Sequence, residues 1–235
     1  MDIMVTAIIV AAGKGARMGN QQRKQYLPLA ELPILAYTLR IFHGCERISQ
    51  INLVIPQADF DYCRNNILSH INPPRNIKLI AGGDRRQISV YQGLQHLDSN
   101  CRIAVIHDGV RPFVQPDRLN ACIDGAMKFG ACILGIPAHD TLKKIHPSGR
   151  IIGTVPRDTI WLAQTPQAFR CELIKKAHEQ ASSEGYEGTD DASLVERLGE
   201  TVMIIHGSRS NLKITDKEDL ITARALLEAQ KAKLI

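Results

Sequence analysis

Residues 5–24 read VTAIIVAAGKGARMGNQQRK, and the rest of the chain is arranged around them. Val5–Val10 has the apolar, β-branched composition of a strand buried on both faces. The small residues and glycines of 11–19 let a ligand approach the backbone closely. Four cations lie in or just after this loop: Lys14, Arg17, Arg23 and Lys24. No acidic residue occurs between Ile3 and Ala30, so the sequence predicts a site for a polyanion such as a nucleoside triphosphate.

The spacing of the loop excludes two other phosphate-binding motifs. A P-loop requires a Lys-Ser/Thr pair that the residues after Gly13 do not supply. A Rossmann G-x-G-x-x-G fingerprint fails because its third glycine position holds Met18, and the glycine arrives one residue late at Gly19. Taken alone, the stretch remains compatible with an ordinary strand-to-helix turn whose cations are solvated.

Composition limits the class of protein. The chain has 235 residues, 44% of them hydrophobic and 23% charged, as in soluble globular proteins. A net charge of +5 suits a small anionic substrate. The cations are dispersed and aromatic residues make up only 5%, so we expect no nucleic-acid partner.

We expect neither a targeting segment nor a disulfide or zinc site in this sequence. Met1-Asp2 begins with an acid instead of a basic n-region, and no apolar run approaches membrane-spanning length. We therefore expect a cytoplasmic protein without a membrane partner. The cysteines are scattered and form no C-x-x-C pair, so we expect buried thiols instead of disulfides or zinc ligands.

Apolar runs alternate with helical patterns along most of the chain. Further strands are predicted at 51–55, 77–81, 103–106, 131–136 and 202–205, with a short edge element at 211–214. Helices are predicted at 33–42, 60–70, 116–129, 171–181, 191–198 and 216–231, and one opens at Arg85 with Ile88, Tyr91 and Leu94 on one side. This alternation predicts a single α/β domain, residues 1–235, with a mostly parallel sheet between helices on both faces.

Residues 137–155 interrupt that rhythm. Two short strand-like runs flank His146–Gly149, the pattern of a β-hairpin. The hairpin has too few apolar residues for a place in the main core, so we expect it to leave the globule as an arm. An isolated two-stranded ribbon is marginally stable, so the arm should pack on another surface.

Asp108 is the strongest candidate for metal chemistry. It directly follows the predicted strand 103–106 and His107, at the edge where open α/β sheets bind ligands. A carboxylate there can hold Mg²⁺ together with substrate phosphates, or can simply cap the next turn. His107 is better explained as a packed, hydrogen-bonded histidine. No Ser-His-Asp or Cys-His spacing indicates a covalent nucleophile, so direct transfer is expected.

Other candidates have plain structural alternatives. Gly82-Gly83-Asp84 offers donors and an acceptor to a base, or forms only a turn. Residues 189–191 are typical of a helix cap, Lys213 can guard a sheet edge, and Arg157 can be solvated. From the residues alone, the prediction ends at a Mg²⁺-dependent enzyme acting on a nucleotide.

The chain nevertheless resembles the 2-C-methyl-D-erythritol 4-phosphate cytidylyltransferase family almost end to end. The motifs that carry this resemblance are AAGKGARMG, KQYLPL, HDGVRP, DTLKKI, WLAQTPQAF, TDDASLVERLG and NLKIT. The resemblance implies a Rossmann-like nucleotidyltransferase sheet and a homodimer formed through the arm, residues 137–157. It also implies CTP as co-substrate, Mg²⁺ as cofactor, a polyol phosphate as acceptor and pyrophosphate as product.

The resemblance also implies residue roles. Catalytic cations would be Arg17, Lys24, Arg157 and Lys213. The nucleotide would be held by Ala11, Ala12, Gly13, Lys14, Gly15, Gly83, Asp84, Ser89 and Gly109. The sugar phosphate would be bound by Arg111, Thr141, Arg157, Thr189 and Lys213, with Thr141 and Arg157 supplied by the partner's arm. Asp108 would bind the metal.

Two alternatives to this function stay open. The Val110–Phe113 sequence Val-Arg-Pro-Phe resembles a related branch that makes CDP-ribitol from ribitol phosphate, whereas TDDASLVERLG and DTLKKI favour the erythritol enzyme. A catalytically silent nucleotide-binding module would need the glycine cradle but would have no use for Lys24, Thr141, Arg157 and Lys213 together. An oxidoreductase is disfavoured by Met18.

Overall fold

The computed structural model describes residues 3–13, 23–72 and 76–232. Its strands are β1 (Met4–Val10), β2 (Pro28–Leu29), β3 (Leu32–Pro33), β4 (Ile48–Ile55), β5 (Ile77–Ala81), β6 (Cys101–Asp108), β7 (Ala131–Pro137), β8 (Leu142–Ile145), β9 (Ile151–Val155), β10 (Trp161–Arg170) and β11 (Met203–His206). Its α-helices are α1 (Ile34–His43), α2 (Phe60–Asn66), α3 (Arg86–Gln95), α4 (Pro116–Phe129), α5 (Cys171–Ser183), α6 (Asp191–Arg197) and α7 (Lys217–Lys231).

Seven of these strands form the central sheet, in the order β11-β7-β10-β6-β1-β4-β5. The β1, β4, β5 and β6 strands are parallel, and β11 is parallel to β7. The β10 strand runs antiparallel to both of its neighbours, β6 and β7. The predicted mostly parallel α/β sheet is therefore confirmed.

Helices cover both faces of this sheet because successive strand residues point to opposite sides. Ile9 contributes to the core beneath α1, α2 and α4, whereas its neighbour Ile8 contributes to the core beneath α3, α5 and α6. A smaller third core joins α7 to the β2–β3 ribbon and to the loop after β6, through residues such as Val110 and Ile214. That third core fixes the chain segments beside the carboxyl edge of the sheet.

Most predicted elements are confirmed, and the differences have local causes. The helix predicted over 60–70 ends at Asn66, and a short 3₁₀ turn, Leu68–His70, follows. In α3 the buried residues include Ser89, Val90 and Leu94, whereas Ile88 is exposed, so the side of the helix that carries Ile88, Tyr91 and Leu94 is buried only in part. Small Gly93, not a large side chain, packs against β1.

Two further predictions near the C-terminus need correction. Residues 211–214 form no strand and instead cross beside the end of β6, where Ile214 N donates to Val110 O. The strand predicted at 202–205 is β11, which lies at the sheet edge with partly exposed Met203 and Ile204. It was expected in the core because an edge strand and a buried strand share the same apolar composition over four residues.

The arm is present as the antiparallel pair β8–β9. Its apolar side chains lie in solvent in the single chain: Ile145 is 58% exposed, Ile151 58% and Ile152 55%. The predicted hairpin is confirmed, and within the chain it has no core of its own.

Two findings concern the expectations on membranes and cysteines. Across the described ranges, we find no helix with both the length and the apolarity needed to cross a membrane. All of the cysteines are free thiols, and each is buried except the half-buried Cys45.

Candidate active site

The carboxyl ends of β1, β5 and β6 meet around a cavity of about 170 Å³. Predicted site residues from five separate parts of the chain line it: Ala11, Gly13, Lys24, Gly83, Asp84, Ser89, Asp108 and Lys213. Arg85, Arg86 and Gln25 complete much of the wall. Cations and backbone donors therefore surround a space with carboxylates at Asp84 and Asp108, as a nucleotide–metal site requires.

Asp108 lies at the centre of a chain of ion pairs that we call the edge network: His178, Asp191, Arg86, Asp108 and Lys213. Arg86 Nε donates to Asp108 Oδ1 at 2.9 Å, and its Nη1 donates to Asp191 Oδ2 at 2.8 Å. Lys213 Nζ lies 2.8 Å from Asp108 Oδ2, and His178 Nε2 lies 3.1 Å from Asp191 Oδ1. One guanidinium thus bridges two carboxylates and orients both.

The protonation states of the edge network follow from its charges. Burial by itself raises the pKa of Asp108, but the charges of Arg86 and Lys213 outweigh burial and hold that pKa well below its usual range. In Asp191, burial is likewise outweighed by Arg86 and His178, so the pKa is lowered. Burial lowers the pKa of Arg86, and the two carboxylates more than reverse this effect. Both carboxylates are therefore ionised at neutral pH.

Gln167, in the WLAQTPQAF motif, places Asp191. Its Oε1 accepts from the backbone N–H groups of Asp191 and Ala192, each at 3.2 Å, and its Nε2 donates to Asp190 Oδ2 at 2.8 Å. Asp190 in turn caps α6 by accepting from Ser193 N at 2.9 Å. The predicted helix cap at 189–191 is confirmed, but Asp191 also reaches inward to Arg86.

His107 has a structural role. Its Nε2 lies 3.1 Å from Arg111 O and its Nδ1 lies 3.0 Å from Thr165 Oγ1. Burial lowers the pKa of His107 to about 4, so the ring is neutral at pH 7. A carbonyl only accepts, so Nε2 carries the proton and Nδ1 accepts from Thr165. Thr165 also accepts from Asp108 N at 3.1 Å, so this histidine fixes the turn that presents Asp108.

Arg111 holds the segment that carries Lys213. Its Nη1 donates to Asn211 O at 2.7 Å, and Asn211 Nδ2 donates to Thr165 O at 2.8 Å. Gln164 Oε1 accepts from Ser208 N and from Asn211 Nδ2, both at 3.3 Å. Residues 208–214 are thereby pinned to β10, and Lys213 is directed at Asp108.

The nucleotide cradle is shaped by short polar contacts. Gly83 N donates to Ser89 Oγ at 3.1 Å, and Ser89 Oγ donates to Arg85 O at 3.1 Å, so Ser89 fixes the turn before α3. Gln25 Nε2 donates to Ala11 O at 2.6 Å, which ties the exit of the cationic loop to its start. A Cβ at Gly109 would lie 2.9 Å from the Ala11 Cβ, so glycine is needed where the ends of β1 and β6 pack together.

The predicted site residues that are not in the cavity wall fall into three groups. Ala12 and Gly109 adjoin the residues that line the cavity, and Arg111 lies behind it. Thr141, Arg157 and Thr189 are exposed and do not line the cavity of their own chain. Lys14, Gly15 and Arg17 lie outside the described residues.

Several residues that shape the site were missed by the sequence reasoning. They are Arg86, Asp191, His178, Gln167 and Gln25. The available signal was weak: Arg86 follows Arg85 directly after Gly82-Gly83-Asp84, and Gln167 and Gln25 lie inside motifs already noted. Nothing in the sequence indicates that Arg86 and Asp191 meet across 105 residues.

Comparison with known proteins identifies the family. The family model of 2-C-methyl-D-erythritol 4-phosphate cytidylyltransferase matches residues 5–229. The chain belongs to this family. The family's protein from Syntrophus aciditrophicus (strain SB) is 44% identical over 234 residues, which is 100% of both chains. That from Geotalea uraniireducens (strain Rf4) is 43% identical over 227 residues, 96% of this chain and 97% of the relative.

Solved structures agree with this membership. The crystal structure of 4-diphosphocytidyl-2C-methyl-D-erythritol synthase from Anaerococcus prevotii DSM 20548 superposes with a TM-score of 0.86 at 34% identity, covering 97% of each chain. The cytidylyltransferase of Francisella tularensis superposes with a TM-score of 0.81 at 30% identity, covering 95% of this chain and 99% of the other. The predicted enzyme class, a cytidylyltransferase, is confirmed, and methylerythritol phosphate is favoured over ribitol phosphate as acceptor.

The donor set of this cytidylyltransferase suits a metal that is shared with substrate. Among the described residues no cluster of three or more His, Cys, Asp or Glu side chains could hold an ion by itself. Mg²⁺ is commonly bound by one or two carboxylates together with substrate phosphates. Asp108, ionised and lining the cavity, fits that role if Lys213, which is partly exposed, yields its contact with Oδ2.

Proposed function

We propose that this chain transfers the cytidylyl group of CTP to 2-C-methyl-D-erythritol 4-phosphate, giving CDP-methylerythritol and pyrophosphate for isoprenoid precursor synthesis. The observation that carries the proposal is the family match over residues 5–229, joined to a cavity lined by Lys24, Asp108 and Lys213. We further propose that the enzyme acts in the cytoplasm, where its free thiols stay reduced.

The chemistry needs no protein base. An oxygen of the acceptor phosphate, already ionised at neutral pH, attacks the α-phosphorus of CTP. The new P–O bond forms as the bond to the bridging oxygen breaks in line, and pyrophosphate leaves. His107 is unsuited as a base because it is buried with both ring nitrogens engaged. Catalysis therefore rests on positioning and on cations directed at the developing charge.

Each part of the cavity has a role in this proposal. Ala11, Ala12, Gly13, Gly83, Asp84 and Ser89 hold the cytidine and ribose. Lys24 and Lys213 face the phosphates. Arg17, which is not among the described residues, is assigned the same role. Asp108 would hold Mg²⁺, which supplies charge neutralisation on the triphosphate when bound.

The acceptor site is completed by a second copy of the chain in this proposal. Thr141 and Arg157 lie at the base of the arm, away from the cavity of their own chain, and Arg157 Nη1 donates to the nearby His139 O. The exposed isoleucines of β8 and β9 supply apolar surface for a partner. A twofold dimer would bring each arm to the other cavity, where Thr189, Arg111 and Lys213 complete the binding of the sugar phosphate.

The substrate is tested by following pyrophosphate release with CTP, Mg²⁺ and either methylerythritol phosphate or ribitol 5-phosphate. We expect release with methylerythritol phosphate to be at least about 10²-fold faster, the scale that several lost polar contacts produce. Equal or reversed rates would place the chain in the CDP-ribitol branch. Tight CTP binding without release from either acceptor would support the silent nucleotide-binding module.

The shared site is tested by mixing two inactive variants, Lys24→Ala and Arg157→Ala, under conditions of subunit exchange. If Arg157 acts across the interface, each mixed dimer holds one site with both residues intact, so about half of its sites regain activity by symmetry. If Arg157 acts within its own chain, every site in a mixed dimer lacks one residue. No recovery, with exchange verified by mass spectrometry, would refute the shared site.

A further inference from the structure

Two thiols meet at the edge of the sheet opposite the cavity of Asp108. Cys101 begins β6, and Cys171 begins α5 directly after β10. Their Sγ atoms lie 3.2 Å apart, with Cys171 donating to Cys101, although the two residues are 70 positions apart in the chain. Cys101 Sγ also donates to Thr6 Oγ1 at 3.3 Å. A disulfide has an S–S distance of about 2.0 Å, so a small side-chain movement would join the two sulfurs.

Both thiols belong to the wall of a cavity, although each residue is largely buried. Cys101 is 7% exposed and Cys171 is 6% exposed, and both line a cavity of about 200 Å³. Arg102, Arg170 and Glu172 also line this cavity, so two positive charges and one negative charge lie near the sulfurs. An electropositive, partly accessible environment is where cysteines react as thiolates.

The contact between the thiols makes them unequal. The hydrogen bond from Cys171 lowers the pKa of Cys101, against the opposing effect of burial. The same hydrogen bond, together with burial, raises the pKa of Cys171. We therefore assign the nucleophilic role to Cys101, whose sulfur accepts the hydrogen bond from Cys171.

A second thiol pair in the same chain provides a comparison. Cys122 Sγ lies 3.2 Å from Cys132 O, and both residues are 0% exposed. Burial raises the pKa of Cys122 well above its ordinary value. The contact with Cys122 lowers the pKa of Cys132, as in the first pair, but both residues of this second pair are fully buried in the core.

We propose that Cys101 and Cys171 form a peroxide-reactive dithiol, a modification site that converts reversibly to an intramolecular disulfide. The site takes hydrogen peroxide or a small organic hydroperoxide, the class of oxidant that the cavity admits. It is independent of cytidylyl transfer.

The reaction balances in two steps. The Cys101 thiolate attacks one peroxide oxygen, the O–O bond breaks, and the departing oxygen takes a proton and leaves as water, or as an alcohol from an organic hydroperoxide, so Cys101 becomes a sulfenic acid. The Cys171 sulfur then attacks the Cys101 sulfur, an S–S bond forms, the S–O bond breaks, and the departing hydroxyl takes the proton of the Cys171 thiol and leaves as water. Two electrons pass from the two sulfurs to the peroxide. A cellular dithiol restores both thiols by exchange.

Oxidation should leave the active site unchanged. Cys101 and Asp108 are the two ends of β6, about 23 Å apart at a rise of about 3.3 Å per residue. The new bond joins segments that are already adjacent through the β6–β10 pairing. The modification would therefore protect Cys101 from further oxidation while catalysis continues.

The test treats the native, fully reduced protein with a small excess of hydrogen peroxide and then maps thiols by alkylation in denaturant and peptide mass spectrometry. We expect a Cys101–Cys171 cross-link, removed by a dithiol reductant, with Cys122 and Cys132 at least about tenfold less modified. In Cys171→Ser, Cys101 should accumulate a dimedone-reactive sulfenic acid. In Cys101→Ser, Cys171 should remain unlabelled.

The map of modified thiols in the wild-type protein tests the proposal even if a serine variant folds poorly. A native protein that yields no Cys101–Cys171 cross-link, or one in which Cys45 or Cys122 reacts as fast as Cys101, would overturn the proposal. So would equal dimedone labelling in the two serine variants. Pyrophosphate release measured before and after oxidation should agree within about twofold, because Cys101 and Asp108 lie at opposite ends of β6. A larger loss that a dithiol reductant reverses would overturn the claim that the modification is independent of catalysis.

Discussion

Arg86 and Arg157 carry the same side chain, but their surroundings differ completely. Arg86 is half-buried in the edge network and donates to two carboxylates of its own chain, Asp108 and Asp191. Arg157 is exposed at the base of the arm and donates to the carbonyl of His139. The edge network is internally paired, whereas the arm presents charge and apolar surface that its own chain does not use.

The difference separates two functions of charge in one molecule. A buried guanidinium between two carboxylates fixes geometry, and its removal leaves desolvated charges without compensation. An exposed guanidinium adds little to stability but remains available to another molecule. Changes in the edge network should therefore act on folding and on the site together, and changes in the arm should act mainly on assembly.

The largest expected effect comes from breaking the edge network. Arg86→Ala should lower the free energy of unfolding by about 3–5 kcal/mol, because the buried carboxylates of Asp108 and Asp191 then both lose the guanidinium that compensates their charge. The matched control is Arg85→Ala, which removes an exposed pair with Glu187 and should cost less than about 1 kcal/mol. Urea denaturation at pH 7.5 measures both. Similar small losses in the two variants would contradict the structural role of the network.

A smaller effect should appear with pH, through His107. The pKa of this ring is about 4 in the folded chain and about 6.5 when unfolded, so the neutral ring is favoured by folding. The contribution of the neutral ring to the free energy of unfolding is complete above pH 6.5 and is lost as the pH falls towards 4. Between these two limits this contribution changes by on the order of 3 kcal/mol.

Unfolding at pH 7.5 and at pH 4.5 tests this dependence. His107→Gln should lose less stability between the two values than wild type. His146→Gln, at the exposed turn of the arm, should lose as much as wild type. Parallel losses in wild type and His107→Gln would show that His107 does not contribute to acid sensitivity.

Lys24 differs from both Arg86 and Arg157, because it lines the cavity but is not one of the residues of the edge network. Lys24→Ala should lower turnover by about 10²-fold, since in the proposed mechanism the lysine faces charge that develops in the transition state. CTP affinity should change less, and the melting temperature should stay within about 2 °C. Lys78→Ala, an exposed lysine on β5, is the control for a lost surface charge. Normal turnover with weaker CTP binding would make Lys24 a ground-state anchor only.

The smallest effect on the single chain should come from the arm. Ile152→Ser should change the free energy of unfolding within the chain by less than about 0.5 kcal/mol, because the side chain is exposed there. If the arm packs on a second copy, the dimer dissociation constant should rise about tenfold or more. Ile221→Ser, exposed on α7, is the control and should alter neither quantity. A chain that is monomeric at assay concentrations by sedimentation would refute the dimer.

Local patterns were enough to place most of the elements. Strand β5 and helix α4 have the predicted bounds, because their apolar periodicity and their flanking proline or glycine act over a few residues. The hairpin arm was predicted for the same reason. The errors fell where a short segment has no periodicity of its own, as at residues 211–214.

The candidate site was only partly predictable. The loop after β1, Gly83-Asp84 and Asp108 were found because each follows a strand, and the carboxyl ends of parallel strands meet at one edge. Lys213 and the distant roles of Thr141 and Arg157 came from resemblance to a family. For Thr141 and Arg157, the roles remain predictions about a second chain.

Sequence patterns thus predicted the sheet, its helices, the arm and the placement of Ala11 and Gly13 at the end of β1. The partners of Arg86, the neutral state of His107 and the meeting of Cys101 with Cys171 came from the folded arrangement alone. Arg86 and Asp191 are 105 residues apart, and the two thiols are 70 apart. The physical reason is range: propensity and periodicity act between near neighbours, while burial and charge pairing depend on which strands lie side by side.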